Sequence, residues 1–264
     1  MMVPGSPRLA ATAVHAGYGA RDVLTGVDFA VPDRAVTAVI GPNGSGKSTL
    51  LKVLGRTLVP TRGHVALDGI PAGRIPPKRF ARTVATLPQA PMAPDGIRVV
   101  DLVARGRQPH QSWLRQWSPQ DEAAVRTALE LTDTSHLAEH PIDSLSGGQR
   151  QRVWVAFVVA QDAEILLLDE PTTFLDLAHA IDVLRLVGSL HTERGRTVVM
   201  VLHDLNLAAR VAQHLVVMDQ GAIVAQGAPR EVLTAELLGS VFRLDAAVVD
   251  NPVADGVLVV PGPW

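Results

Sequence analysis

Residues 41–49 read Gly41-Pro42-Asn43-Gly44-Ser45-Gly46-Lys47-Ser48-Thr49, and no other stretch restricts the fold so tightly. They fit the spacing G-x-x-x-x-G-K-[ST]. The apolar run 36–40 just before them has the character of a buried strand, and Leu50, Leu51, Val53 and Leu54 behind them recur at helical spacing. Strand, glycine-rich loop and helix is the context in which such a loop wraps phosphate. Glycines let backbone N–H groups turn toward an anion, and the new helix adds its unpaired amides and positive dipole end. Lys47 brings a mobile cation for the outer phosphates, and the Ser48 hydroxyl suits a magnesium ion. An α/β core that binds a nucleotide phosphate is therefore expected.

A chain of 264 residues has room for one large α/β domain, or for a core with a smaller lobe. Its 24 Lys+Arg against 26 Asp+Glu give no reason to expect nucleic acid or another polyanion as partner. With no cysteine, disulfide frameworks and thiolate chemistry are excluded. The greasiest runs, 165–168 and 197–202, have strand length and fall far short of a bilayer span. Met1-Met2-Val3-Pro4-Gly5 lacks the charged-then-apolar pattern of a signal peptide. A cytoplasmic nucleotide user is the simplest expectation. No internal repeat or low-complexity segment is visible.

Upstream of the loop, residues 14–31 alternate around Gly17, Gly19 and Gly26, which predicts short antiparallel strands. Tyr18, the single tyrosine of the chain, falls here. Its ring either stacks on adenine or is a half-buried strand residue. Residues 63–69 read as a strand ending in a turn, and 84–88 as another, closed by Pro88 and followed by Gln89. From Ala90 the texture changes. Pro91, Pro94 and Gly96 break the chain, and 99–107 and 119–131 then carry helical spacing, with Ser118 as N-cap and Pro119 in the first helical position. With no clear strand before about residue 160, this stretch reads as a helical lobe inserted into the α/β core. It ends on Leu145-Ser146-Gly147-Gly148-Gln149, leading into a helix over 150–160. Ser146 is a good N-cap, and the two glycines leave the first amides uncovered. The result is either a second anion-binding helix start or an ordinary flexible turn.

Residues 165–168 are four aliphatics in a row, as in a parallel strand buried on both faces, and they end at Asp169-Glu170. Two carboxylates there are costly to bury unless they meet a cation, and strand ends of open α/β sheets are where ligands sit. Beside a phosphate loop, Asp169 suits the magnesium shell and Glu170 a base for an attacking water, whereas elsewhere the pair would read as an acidic turn. The run 197–202 is a further central strand ending at His203-Asp204. Asp204 can cap a helix over 205–211. His203 either contacts a γ-phosphate or is simply packed or solvated. Leu215–Met218 and 222–225 flank Asp219-Gln220-Gly221 as a hairpin, and the tail shows one short helical pattern (230–242) and possible strands at 248–249 and 257–260.

The ordered set Tyr18, GPNGSGKST, Gln89, LSGGQ, ILLLDE, Asp176 and His203 resembles the ATPase subunit of ATP-binding cassette (ABC) transporters. The deciding element is LSGGQ lying between the phosphate loop and ILLLDE. The resemblance implies an α/β fold: a P-loop NTPase core with a mixed sheet, an antiparallel β subdomain and an inserted α-helical subdomain. It covers 8–242, with the core at 8–90 and 161–228, the helical subdomain at 91–160 and a C-terminal tail at 229–264. Position by position it implies that Tyr18 stacks adenine, residues 41–49 hold the phosphates of ATP, and Ser48, Asp169 and Gln89 surround Mg2+. Glu170 would polarise water and His203 would contact the γ-phosphate. Leu145, Ser146, Gly147, Gly148 and Gln149 would cap the nucleotide of the opposite subunit in a head-to-tail homodimer, with Asp176 at its seam.

A narrower likeness concerns cargo. Residues 171–176, 104–110 and 231–234, with Val241-Phe242, resemble the ATPase subunits of ferric-siderophore importers. Thr173-Phe174 replaces the serine-alanine pair of many relatives, which fits the iron-chelate, haem and cobalamin group. The resemblance implies a membrane permease as partner, an extracytoplasmic substrate-binding protein acting indirectly, and a place on the cytoplasmic face of the cell membrane. Residues 105–117 would dock the permease or form a solvated surface. The competing readings are a haem or cobalamin importer, a soluble ABC ATPase of the iron–sulphur assembly type, and a degenerate cassette that only binds; Lys47, Glu170 and His203 argue against the last.

Overall fold

The structure, a computed structural model, describes residues 7–19, 21–112, 116–173 and 175–263. The first five residues, Phe174, and residues 113–115 of the 105–117 stretch lie outside the described residues. In chain order the elements are β1 (Leu9–Tyr18), β2 (Arg21–Ala30), β3 (Val36–Ile40), α1 (Lys47–Leu54), β4 (Arg62–Leu67), β5 (Ile70–Pro71), α2 (Pro77–Thr83), β6 (Val84–Leu87), α3 (Val99–Arg105), α4 (Pro119–Leu131) and α5 (Gly147–Ala160). There follow β7 (Ile165–Asp169), α6 (Leu177–Arg194), β8 (Thr197–Val201), α7 (Leu205–Val211), β9 (His214–Asp219), β10 (Ala222–Gly227), α8 (Pro229–Val232), α9 (Ala235–Phe242), β11 (Ala246–Asp250) and β12 (Val257–Pro261). They gather into two compact units, the described residues of 1–75 with 197–264, and those of 76–196.

In the first unit, β10, β9, β3 and β8 lie side by side in that order. β3 is parallel to both β8 and β9, while β10 returns antiparallel, so the sheet is mixed. β3, flanked by β8 and β9, and β8 beside it are buried at every position, which is why both read as largely apolar runs. A separate antiparallel sheet has the order β2-β1-β4-β5. β1 and β2 run for 10 residues each and are not the short strands that the alternation predicts. Register shifts between Ala11 and Val14 and between Ala16 and Gly17 break the period of two without ending the strands. The tail pattern divides into α8 and α9 because Leu233 and Thr234 are extended and the Thr234 side chain caps the second helix.

In the second unit β6 and β7 pair in parallel, Leu87 opposite Leu168. Between them α3, α4 and α5 pack on one another, and among the described residues no strand occurs over 91–160. Ser118 caps α4 as expected, its side chain accepting the Asp121 N–H while Asp121 answers with its carboxylate. Arg107 then locks the lobe: its Nε lies 2.9 Å from Asp121 Oδ1 and its Nη1 donates to the Ala160 carbonyl at 2.8 Å. One buried guanidinium thus ties the chain after α3 to the start of α4 and the end of α5. The 18-residue α6, capped by Asp176 and closed by left-handed Gly195, carries no expectation from the sequence patterns.

Candidate functional site

In the first unit the chain leaves β3 at Gly41 with φ 150°, and Gly44 and Gly46 follow at 78° and 102°. A Cβ at Gly41 would lie 2.1 Å from the Met218 carbonyl oxygen, so only glycine lets the loop rest on β9. Gly221, between β9 and β10, donates its N–H to Ser45 O at 3.0 Å and accepts the Thr25 N–H at 3.0 Å. Met218 and Gly221 therefore form the floor of the loop. The sequence marks Gly221 as a turn residue but carries no signal for this contact.

Lys47 is 5% exposed, and its Nζ donates to the carbonyls of Gly41 and Pro42, both at 2.8 Å. The Ser45 hydroxyl is buried with no hydrogen-bond partner. α1 begins with no acidic residue in its first turn, and its N-cap Gly46 supplies no side-chain hydrogen bond. Cation, orphan hydroxyl and uncapped amides make this loop a cradle for anionic oxygens. Tyr18 closes β1 with 52% of its surface exposed, so it belongs to no core. Lys52 of α1 sits 5.5 Å from its ring centroid and donates to its hydroxyl at 3.2 Å. Leu202 N–H donates to Val39 O at 3.2 Å, so His203 and Gly41 leave neighbouring parallel strands at their C-terminal ends. His203 is exposed there, and Asp204 caps α7.

In the second unit the pairing of β6 with β7 brings Gln89, Asp169 and Glu170 to one strand end. Asp169 and Glu170 are 3% and 8% exposed, while Gln89 is open to solvent. Glu170 adopts φ 53°, a left-handed conformation that costs a non-glycine residue on the order of 1 kcal/mol. Ser146 heads a full capping box: its N–H donates to Gln149 Oε1 at 3.0 Å and its Oγ accepts the Gln149 N–H at 3.3 Å. α5 accordingly starts at Gly147 and not at 150, so the glycine pair belongs to the first helical turn and is no flexible turn. A Cβ on Gly148 would meet His179 and Leu175 at 3.6–3.7 Å. Asp176 Oδ1 accepts the His179 N–H at 2.9 Å and lies 2.7 Å from His179 Nδ1. These bonds hold the Asp176 carboxyl below its usual pKa. The structure thus gathers Tyr18, the loop and His203 in one unit, and Gln89, Asp169, Glu170, the 145–149 segment and Asp176 in the other.

The family model described as ABC transporter matches residues 24–173, which takes in the phosphate loop, LSGGQ and the Asp169-Glu170 end of β7. The chain belongs to the ABC transporter family. This ABC ATPase is 51% identical over 245 residues to the achromobactin transport ATP-binding protein of Dickeya dadantii, covering 93% of this chain and 91% of the relative. It is 48% identical over 260 residues to the ferric enterobactin transport ATP-binding protein of Escherichia coli, covering 98% and 96%. Its fold matches a chain from an inward-facing ABC transporter with TM-score 0.82 at 28% identity, over 97% of this chain and 98% of that one. The expected α/β architecture with its mixed sheet, antiparallel sheet and helical segments is the ABC cassette. No helix among the described residues is long and apolar enough to cross a membrane.

Proposed function

We propose that this ABC ATPase powers uptake of an iron(III)–siderophore complex through a separate membrane permease, to which it binds at the cytoplasmic face. The observation that carries the reading is likeness over nearly the whole length to two ATP-binding proteins of siderophore transport. What passes through the permease leaves no mark on the cassette's chemistry, so cargo is argued from that likeness alone. An extracytoplasmic substrate-binding protein would act on the permease and not on this chain.

The cradle of residues 41–49 supports binding of the ATP phosphates, with Lys47 exchanging its two carbonyl partners for phosphate oxygens. Tyr18, exposed and steadied by Lys52, offers its ring face to adenine. Ser48, Asp169 and Gln89 are hard oxygen donors, the kind magnesium accepts when phosphate oxygens complete its shell. When bound, that ion would neutralise charge developing on the phosphates. Among the described residues no cluster of three or more His, Asp and Glu provides a metal cage. Glu170, its carboxylate held by the Thr173 hydroxyl, orients the attacking water, and His203 contacts the γ-phosphate. Ser146, Gly147 and Gly148 present the exposed start of α5 to the nucleotide of a second copy, with Asp176 at the seam of a head-to-tail dimer.

The test is the purified complex with permease and binding protein in lipid, assayed for ATP hydrolysis. Stimulation by a loaded ferric siderophore, absent with haem or cobalamin, is the expected result. Stimulation by haem or cobalamin alone overturns the cargo, and a chain that purifies only with soluble assembly factors overturns transport.

A further inference from the structure

The hairpin of β11 and β12 pairs with no other strand among the described residues. Two strands alone are marginal in water, so such a hairpin persists only against another element. β12 packs on α7, with Val257 and Val259 each 5% exposed while Val260 is 46% exposed. Alternating valines alone would leave the strand free to slip by two residues. Asn206 removes that freedom. Its Oδ1 accepts the Val259 N–H at 2.7 Å and its Nδ2 donates to Val259 O at 3.1 Å. A side-chain amide stands in for a third strand at one position of β12.

Asn206 lies in the first turn of α7, two residues after the cap, and its own N–H donates to Asp204 Oδ1 at 2.8 Å, as the Leu207 N–H does at 2.9 Å. His203 immediately precedes that cap. The short stretch 203–206 is therefore tied at one end to β3, through Leu202 N–H and Val39 O, and at the other to the hairpin. The hairpin is itself moored: Arg230 of α8 donates to Asp250 Oδ1 at 2.5 Å and to Gly256 O at 3.4 Å.

We infer that the C-terminal hairpin is a brace that sets the position of His203, with Asn206 as the positioning residue that transmits it. This rests on the ATPase reading, in which His203 meets the γ-phosphate. A group that must face developing charge loses rate steeply when displaced by about an ångström, whereas ground-state binding of ATP, spread over the whole loop, changes little.

The test uses the full chain in complex with its permease. We expect Asn206→Ala to lower kcat about tenfold or more while KM for ATP stays within about twofold. Removal of residues 246–264 should do the same, and the two changes together should do no more than either. Asn206→Asp keeps the acceptor for Val259 N–H but sets a carboxylate against Val259 O, and should fall between. Val259→Ala trims packing and keeps the main-chain bonds, so it should lower Tm and spare kcat. An unchanged kcat in Asn206→Ala, or effects that add, overturns the brace. Hydrogen exchange at the 203–207 amides judges it without turnover: faster exchange in Asn206→Ala supports it and unchanged exchange overturns it. A wild-type complex that binds but never hydrolyses ATP would instead count against the ATPase reading.

Discussion

Thr173 donates its hydroxyl hydrogen to Glu170 Oε2 across 2.9 Å, from three residues further along the chain. The carboxylate is therefore fixed in orientation before any water reaches it. Glu170→Gln keeps an oxygen for Thr173 and the shape of the side chain but cannot take a proton. Turnover should fall at least about a hundredfold with ATP binding intact and a closed dimer accumulating. Phosphate release and size-exclusion chromatography in ATP check this, and undiminished hydrolysis removes Glu170 from its role.

Lys47 Nζ donates to two neutral carbonyls, those of Gly41 and Pro42, at the start of a helix whose first turn carries no acidic residue. Lys47→Ala deletes the cation that would meet phosphate, an interaction worth roughly 1.5–3 kcal/mol. ATP affinity should drop about 10- to 100-fold, measured by calorimetry. Equal affinity would show that the lysine does not touch the nucleotide.

The Arg107–Asp121 pair is buried on both sides, at 8% and 7% side-chain exposure. Removing either partner leaves an uncompensated charge, so Asp121→Asn should cost about 3–5 kcal/mol in urea unfolding, and an apolar replacement of both residues should cost less. Burial pushes the Asp121 carboxyl up, but the hydrogen bonds from Ser118 and Arg107 and the guanidinium charge outweigh it and hold the pKa below the usual value. A depressed carboxylate stabilises the fold above its unfolded pKa, about 3.9, and that contribution fades as pH falls through the lower folded value. The stability gap between wild type and Asp121→Asn should therefore narrow in acid below about pH 4. A gap that widens contradicts the assignment.

Gly188 sits inside α6, and a Cβ there would meet nothing within 4 Å. Gly188→Ala should stabilise the chain by about 0.5–1 kcal/mol, a rise of about 1–4 °C in Tm by calorimetry. A lower Tm would mean that the open face is covered in solution.

The phosphate loop, the buried strands and the caps at Ser118, Ser146 and Asp204 were legible because each rests on local chemistry: a spacing, an apolar run, a hydroxyl or carboxylate before a helix. α6 was not. Gly188, the four polar residues 191–194 of its last turn and an N-cap hidden inside a functional motif blur its period, and its buried stripe of Val183, Leu184, Val187 and Leu190 has meaning only once the rest of the fold is in place. α2 is masked by Pro76 and Pro77, which read as breakers although Pro77 occupies the first helical turn. The floor beneath the loop, Met218 and Gly221, lies about 180 residues along the chain from Gly41, and no local pattern spans that distance.

A Cβ on Gly148 would rest in ordinary contact on Leu175 and His179, and His179 in turn grips Asp176. The start of α5 thereby lies against the approach to α6. If both edges face a second copy, neither can be recruited piecemeal: a jolt that lifts one lifts the other, and the junction between copies should open in a single snap, with no half-unzipped stage.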